Sequence, residues 1–241
     1  MSNDPKGGNL PARGAGESSS TQEIEAFLGE ARRLAPIAPG RAARLVFAVD
    51  ATMSRQPSWD LASEVQAGMF ETAAAIGGLA VQLVYYRGFA ECRASRWVSD
   101  ARDLKSMMSK ISVRGGPTQI GRVLAHVRGE ASKAPVAALV FVGDAMEEQP
   151  DEVCRAAGEL GLLGVKAFMF HEGPDPMAAN VFAEIARLTG GAAMRFDANA
   201  PASLASLLRA AAAYAAGGRD ALTRLAGNDP NARRLLAAMP A

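Results

Sequence analysis

Short apolar runs and longer amphipathic stretches alternate along this chain, and that alternation narrows its fold more than any other feature. The runs are LVFAV at 45–49, LAVQLVYY at 79–86, VAALVFV at 136–142, VKAFMF at 165–170 and AAMRF at 192–196. Four of them are close to continuous in hydrophobicity. A strand with one wet face would alternate, so these runs predict strands covered on both faces. Apolar residues at helical spacing fill the intervals, over roughly 59–77, 101–111, 119–132, 151–162 and 176–188. Such alternation predicts an α/β fold, a doubly wound Rossmann-like sheet with helices on both faces. Residues 89–98, FAECRASRWV, break the rhythm. They follow the second run directly after Arg87-Gly88, with no room for a crossover helix, and so predict a hairpin and an antiparallel edge strand.

The two ends carry other patterns. Residues 1–19 are polar and rich in Gly, Pro and Ser. They hold too little apolar surface to offset the entropy of ordering, which predicts a disordered tail. Ser20-Thr21-Gln22-Glu23 forms a capping box, and Ile24, Phe27, Leu28, Ala31 and Leu34 follow at helical spacing until Pro36 and Pro39-Gly40. Residues 20–41 are thus an N-terminal helix and linker, the helix expected to pack on the main domain. That domain is expected over 42–216, closing with an Ala- and Leu-rich helix at 201–215. Residues 217–241 are expected as a helical appendage. There Asp229-Pro230 forms the cap and first turn of a last helix that carries Leu235, Leu236 and Met239.

Composition removes several functions. Lys and Arg number 26 against 25 Asp and Glu, so a net charge of +1 gives no global reason to bind nucleic acid or an anionic membrane. Cys92 and Cys154 match neither a metal-ligand pair nor a disulfide framework and are expected as reduced, packed thiols. Aromatics at 6% are too few for a base-stacking platform. No run reaches the ~18 apolar residues of a membrane span, and the polar start lacks a secretion signal, so a cytoplasmic location is expected. Neither GxGxxG after the first strand nor GxxxxGK(S/T) is present, which argues against dinucleotide and P-loop chemistry.

In open α/β sheets, ligands bind outside the carboxyl ends of the strands. The first strand runs into Asp50-Ala51-Thr52-Met53-Ser54, and the fourth into Gly143-Asp144. Between them, ahead of a helix, lies Arg114-Gly115-Gly116-Pro117-Thr118-Gln119-Ile120. Two carboxylates and three hydroxyls therefore converge on one crevice. They are hard oxygen donors, suited to Mg²⁺ or Mn²⁺, and no His or thiolate joins them, which disfavours zinc or copper. Gly115 and Gly116 are expected to let the Thr118 loop approach the ion.

At these residues the chain resembles the von Willebrand factor A family, whose metal-ion-dependent adhesion site uses DxSxS, a Thr on a later loop, and an Asp after the fourth strand. Asp50, Thr52, Ser54, Thr118 and Asp144 match those positions in order. The likeness covers about 42–216 and includes the hairpin edge strand and the segment Phe182–Ala186 before Gly190-Gly191. It implies a strand order of 3-2-1-4-5-6, with strand 3 antiparallel. It also implies that Thr52, Ser54 and Thr118 bind the metal directly while Asp50 and Asp144 act through water. The implied function is non-enzymatic: metal-dependent protein–protein interaction, in which a partner's acidic side chain completes the coordination. Intracellular bacterial members serve multiprotein assemblies, some with AAA-type ATPases, which is the partner class expected here, for a monomer or weak oligomer.

Two departures keep alternatives open. Thr52 stands where the family has Ser, and Ala145 follows Asp144 where the family usually has a conformationally free Gly. A metal-free scaffold is one alternative. A Mg²⁺-dependent phosphohydrolase with Asp50 as nucleophile is the other, although Thr52 occupies the position where that chemistry needs a second carboxylate as general acid. Glu147 and Glu148 are expected as solvated loop acids, and His126 as structural or exposed. His171 leaves the fifth strand with no nucleophile beside it. Arg87, Arg93, Arg96, Arg114 and Arg122 are scattered, as solvated surface residues are.

Overall fold

The computed structural model describes residues 42–52, 56–197 and 201–240. The expected tail, the N-terminal helix and linker, and Ser54 lie outside them. Each long apolar run becomes a strand: β1 (Ala43–Asp50), β2 (Leu79–Arg87), β4 (Ala138–Gly143), β5 (Lys166–Glu172) and β6 (Ala192–Phe196). The hairpin supplies β3 (Glu91–Val98). The helices are α1 (Gln56–Val65), α2 (Ala67–Ala74), α3 (Ala101–Met108), α4 (Ile120–Lys133), α5 (Pro150–Leu162), α6 (Pro176–Thr189), α7 (Pro201–Ala226) and α8 (Pro230–Ala238). The sheet runs β3-β2-β1-β4-β5-β6, with β3 antiparallel to β2 and the other neighbours parallel.

Burial explains the continuous runs. All six residues of β4 and all but one of β1 are buried. Alternate residues serve two separate cores. Leu45, Phe47, Val140, Val142 and Phe168 pack on one face with α1, α2, α3, α7 and α8. Val46, Ala48, Leu139, Phe141 and Met169 pack on the other with α4, α5 and α6. At about 25 cal/mol per Å² of apolar surface, this two-sided burial is the main stabilising term.

One expectation needs correction. The single helix over 59–77 is two helices that meet at Gln66, whose own backbone stays right-handed helical. Its side chain is buried and its amide donates to the Ala101 carbonyl at 3.0 Å, a long-range tie that periodicity does not reveal. The helix that starts at Pro201 ends, as expected, at Gly217-Gly218, whose backbone is non-helical. A second helical stretch follows to Ala226, and Gly218 between the two lies at φ +65, which favours glycine. Ala210 to Ala213 are all buried, so α7 is covered on every side and small residues let its neighbours close in.

Leu222, Ala226, Ala232, Leu235 and Met239 belong to the same core as β1, so residues 217–240 pack into the sheet's own core. Asp229 fixes that corner. It caps α8 through the amides of Asn231 and Ala232 at 2.9 and 3.2 Å, and it accepts the Ser206 hydroxyl at 2.5 Å. Burial works to raise its pKa, but these bonds and Arg209 outweigh it and leave the carboxyl below its usual value. Asp229→Ala is expected to cost about 2 kcal/mol, the upper range for a lost cap, measured by urea denaturation at neutral pH.

Candidate functional site

Register lines up the strand ends that matter. Asp50 lies opposite Tyr86, Val49 opposite Val142, and Gly143 opposite His171, so β1, β2, β4 and β5 finish along one edge. Asp50 is only 1% exposed. Its Oδ1 accepts the Thr52 amide at 2.7 Å, and its Oδ2 accepts the Tyr86 hydroxyl at 3.0 Å. Burial pushes the Asp50 carboxyl above its usual value; the bonds from Thr52 and Tyr86 pull it down, and the charge of Asp144 pushes it up again. The Tyr86 phenol is raised well above its usual value, first by burial and then by the Asp50 charge, so it stays a neutral donor.

The loop that carries Thr118 is laced to both neighbours. The Arg114 amide donates to the Ala51 carbonyl at 3.0 Å, and the Gly88 amide donates to the Arg114 carbonyl at 3.3 Å. The buried Gln119 amide group donates to the Gly88 carbonyl at 2.9 Å. Gly116 permits this seam, since a Cβ there would lie 2.2 Å from the Gly88 oxygen. Gly115, by contrast, has open space around it. The glycine requirement thus comes from backbone meeting backbone, and only Gly116 carries it.

Glu147 is exposed, as expected of a loop acid, and Glu148 is half-buried, but both carboxylates are tied to the Thr118 loop and the start of α4. Thr118 and Glu147 bond reciprocally: the Thr118 amide donates to Glu147 Oε2, and the Glu147 amide donates to Thr118 Oγ1, both at 3.0 Å. The Glu148 carboxylate accepts the amides of Ile120 and Gly121, the latter at 2.9 Å. A helix start leaves amides without partners and carries positive partial charge, and here a carboxylate from another loop satisfies it. Gln119, at the cap position of α4, makes no side-chain cap of its own.

Asp144 follows β4, and its carbonyl faces His171 Nε2 at 3.3 Å. A carbonyl only accepts, so Nε2 carries the proton. The ring is buried, packs edge-on against Phe182, and its Nδ1 has no partner. Burial lowers the His171 pKa and favours the neutral ring. No non-glycine residue among those described has positive φ, so Ala145 meets no backbone strain after Asp144. His126 is structural, its Nε2 lying 2.9 Å from Gln82 Oε1.

Four of the five candidate positions are therefore described, and Asp50, Thr52, Thr118 and Asp144 lie at the same edge of the sheet. Asp50, Thr52 and Thr118 are buried. Tyr86 and Gln119 were not foreseen as part of the site; an aromatic inside an apolar run and a Gln after a loop resemble ordinary core and surface residues.

The donor set suits a hard dication. Among the described residues no salt bridge reaches Asp50, and the charge acting on it is that of another carboxylate. A buried carboxylate beside a like charge is unfavourable until a cation offsets it. No group of three or more His, Cys, Asp or Glu among the described residues forms a metal cluster. A cation at this edge therefore depends on hydroxyls and water besides Asp50 and Asp144, which is how Mg²⁺ is commonly held.

No family profile matches the sequence, and no curated protein matches it. Solved structures do match by shape. A von Willebrand factor type A protein from Catenulispora acidiphila superposes with a TM-score of 0.58 at 20% identity, over 73% of this chain and 43% of that one. The VWA domain of SpRpn10 gives 0.57 at 13% identity, over 70% of this chain and 98% of the domain. The human COPII-coat protein Sec24c gives 0.51 at 11% identity, over 72% and 32%. This chain thus spans less than half of the Catenulispora protein, and at these identities the likeness is one of fold.

Proposed function

We propose that this chain, which folds as a von Willebrand A domain, is a metal-dependent protein-interaction module and not an enzyme. The observation that carries the reading is the buried Asp50 carboxylate, raised in pKa, next to the Asp144 charge and the Thr52 hydroxyl at the edge where Thr118 also lies. Bound there, Mg²⁺ or Mn²⁺ would supply a Lewis-acidic position for a carboxylate oxygen of a partner protein. Thr52, Thr118 and Ser54 are the proposed direct ligands, and Asp50 and Asp144 the water-mediated ones. Tyr86 holds Asp50 in place, while Glu147 orients Thr118. No acid stands at position 52 to protonate a leaving group, so the site is proposed to bind and not to turn over. The likeness to a coat protein supports a place in a multiprotein assembly, and assemblies with AAA-type ATPases are the proposed setting. No helix among the described residues is long and apolar enough to cross a membrane.

Thermal melts test this reading. Millimolar Mg²⁺ or Mn²⁺ at ten times its dissociation constant contributes about 1.4 kcal/mol to the folded state. The expected rise in Tm is about 3–5 °C for a domain of this size. Asp50→Asn should abolish that rise while leaving the metal-free protein as stable as wild type or more so, since a buried charge is removed. An equal rise in wild type and variant, or none in either, points instead to the metal-free scaffold.

A further inference from the structure

The rim of the site carries an exposed aromatic side chain beside a groove. Among the described residues three large apolar side chains are exposed: Phe89 at 88%, Leu162 and Met177. Phe89 sits at the tip of the β2–β3 turn, and the backbone bonds through Gly88, Arg114 and Ala51 tie that turn to the residue between Asp50 and Thr52. A groove beside it is lined by Gly88, Phe89, Glu91, Arg93, Arg114 and Gly115. Its acid, Glu91, is already held by Arg87 through two bonds of 3.0 Å. Arg93 and Arg114 are exposed, and their guanidinium groups make no hydrogen bond or salt bridge with described residues. Arg122 adds a third positive charge, anchored on the Ala90 carbonyl at 2.8 Å. On the other side of the site the rim carries Glu172, Asp175, which caps α6, and Arg195, which donates to the Gly173 carbonyl at 2.7 Å. In a chain of net charge +1, this grouping of Arg93, Arg114 and Arg122 is local.

We propose that the Phe89 groove docks an acidic segment of a partner protein that also carries an apolar side chain. The proposal rests on the metal-dependent reading above: one carboxylate of the segment occupies the Asp50–Thr118 site. The apolar side chain covers Phe89, and further carboxylates face Arg93 and Arg114. An exposed aromatic flanked by unengaged arginines has the composition of an interface anchor. Complementary charge selects the acidic segment and repels a basic one. A nucleic acid fits less well, since Asp144, Glu147 and Glu172 repel a continuous polyanion.

The test is an NMR titration with two peptides, Glu-Glu-Phe-Asp-Glu and its basic counterpart Lys-Lys-Phe-Asp-Lys, in Mg²⁺ and in EDTA. The acidic peptide is expected to shift the amides of residues 88–91 and 114–115. It should bind at least tenfold tighter than the basic one. Arg93→Glu with Arg114→Glu should reverse that preference, and Phe89→Ala should weaken both peptides. These side chains are exposed, so unchanged melting temperatures verify that the variants fold. The proposal is overturned if neither peptide shifts the hairpin, if the double variant keeps the wild-type preference, or if a short oligonucleotide displaces the acidic peptide. Reversal by the arginines without any effect of EDTA would leave the groove standing and remove the metal. Dependence on Mg²⁺ without any effect of the arginines would do the opposite.

Discussion

Gly116→Ala is expected to destabilise the protein by about 2–3 kcal/mol, the range for forcing an atom into a packed position. The matching fall in Tm is about 5–10 °C. The added Cβ would stand 2.2 Å from the Gly88 oxygen and 2.5 Å from the Gly88 Cα. Those atoms are backbone, held by the Arg114 and Gln119 bonds, and no rotamer change moves them aside. The hairpin tip must shift away from the Thr118 loop, so metal affinity should fall together with stability. The neighbouring Gly115→Ala is the control. Nothing lies within 4 Å of its Cβ and its φ is not positive, so its effect should stay within about 0.5 kcal/mol. Paired thermal melts check both, and equal losses at the two glycines would show that the seam is not what the glycines serve.

Glu130→Ala is expected to cost about 3 kcal/mol, the lower end for breaking one partner out of a buried charged network. One carboxylate joins three elements. Its Oε2 pairs with Arg44 of β1 at 2.6 Å and accepts the indole of Trp97 in β3 at 3.1 Å. Its Oε1 pairs with Lys133 at 2.7 Å, and the Arg44 guanidinium lies 4.0 Å from the Trp97 ring centre. With side-chain exposures of 20% and 11%, Arg44 and Glu130 are too buried for water to replace the lost partner fully.

The bonds from Lys133 and Trp97 and the charges of Lys133 and Arg44 outweigh burial and hold the Glu130 carboxyl below its ordinary 4.5. A carboxyl lowered on folding stabilises the folded state above its unfolded pKa, and that contribution is lost as pH falls through the folded value. The deficit of Glu130→Gln in urea denaturation should therefore be largest at neutral pH and shrink in acid below about 4.5. A deficit that does not change with pH would mean that shape, not charge, is what Glu130 supplies.

What the sequence disclosed follows from which forces are local. The strands of β1, β4 and β5 were legible because burial on both faces leaves no polar alternation. The hairpin was legible because ten residues leave no room for a crossover. Asp229-Pro230 announced the last helix because a cap and its first turn are neighbours in sequence. The gaps have one common cause. Gln66, where α1 meets α2, ties its side chain to residue 101, and Glu148 caps α4 from 28 residues away. No local pattern encodes such bonds. At the site, Asp50, Thr52, Thr118 and Asp144 were readable as polar residues at strand and loop ends, whereas Tyr86 was hidden because its ring belongs to an apolar run and only its hydroxyl serves Asp50. Gly116 was visible, but its role was not, because the Gly88 backbone it meets is brought there by the fold.

The central claim, that this edge of the sheet holds a divalent cation, is tested most directly by calorimetric titration of Mg²⁺ and Mn²⁺ into wild type, Asp50→Ala and, as a control at the opposite end of β1, Glu130→Gln. The account predicts binding at a single site in wild type and in Glu130→Gln, with none in Asp50→Ala. Undiminished binding in Asp50→Ala, or no heat from wild type at millimolar metal, would contradict it.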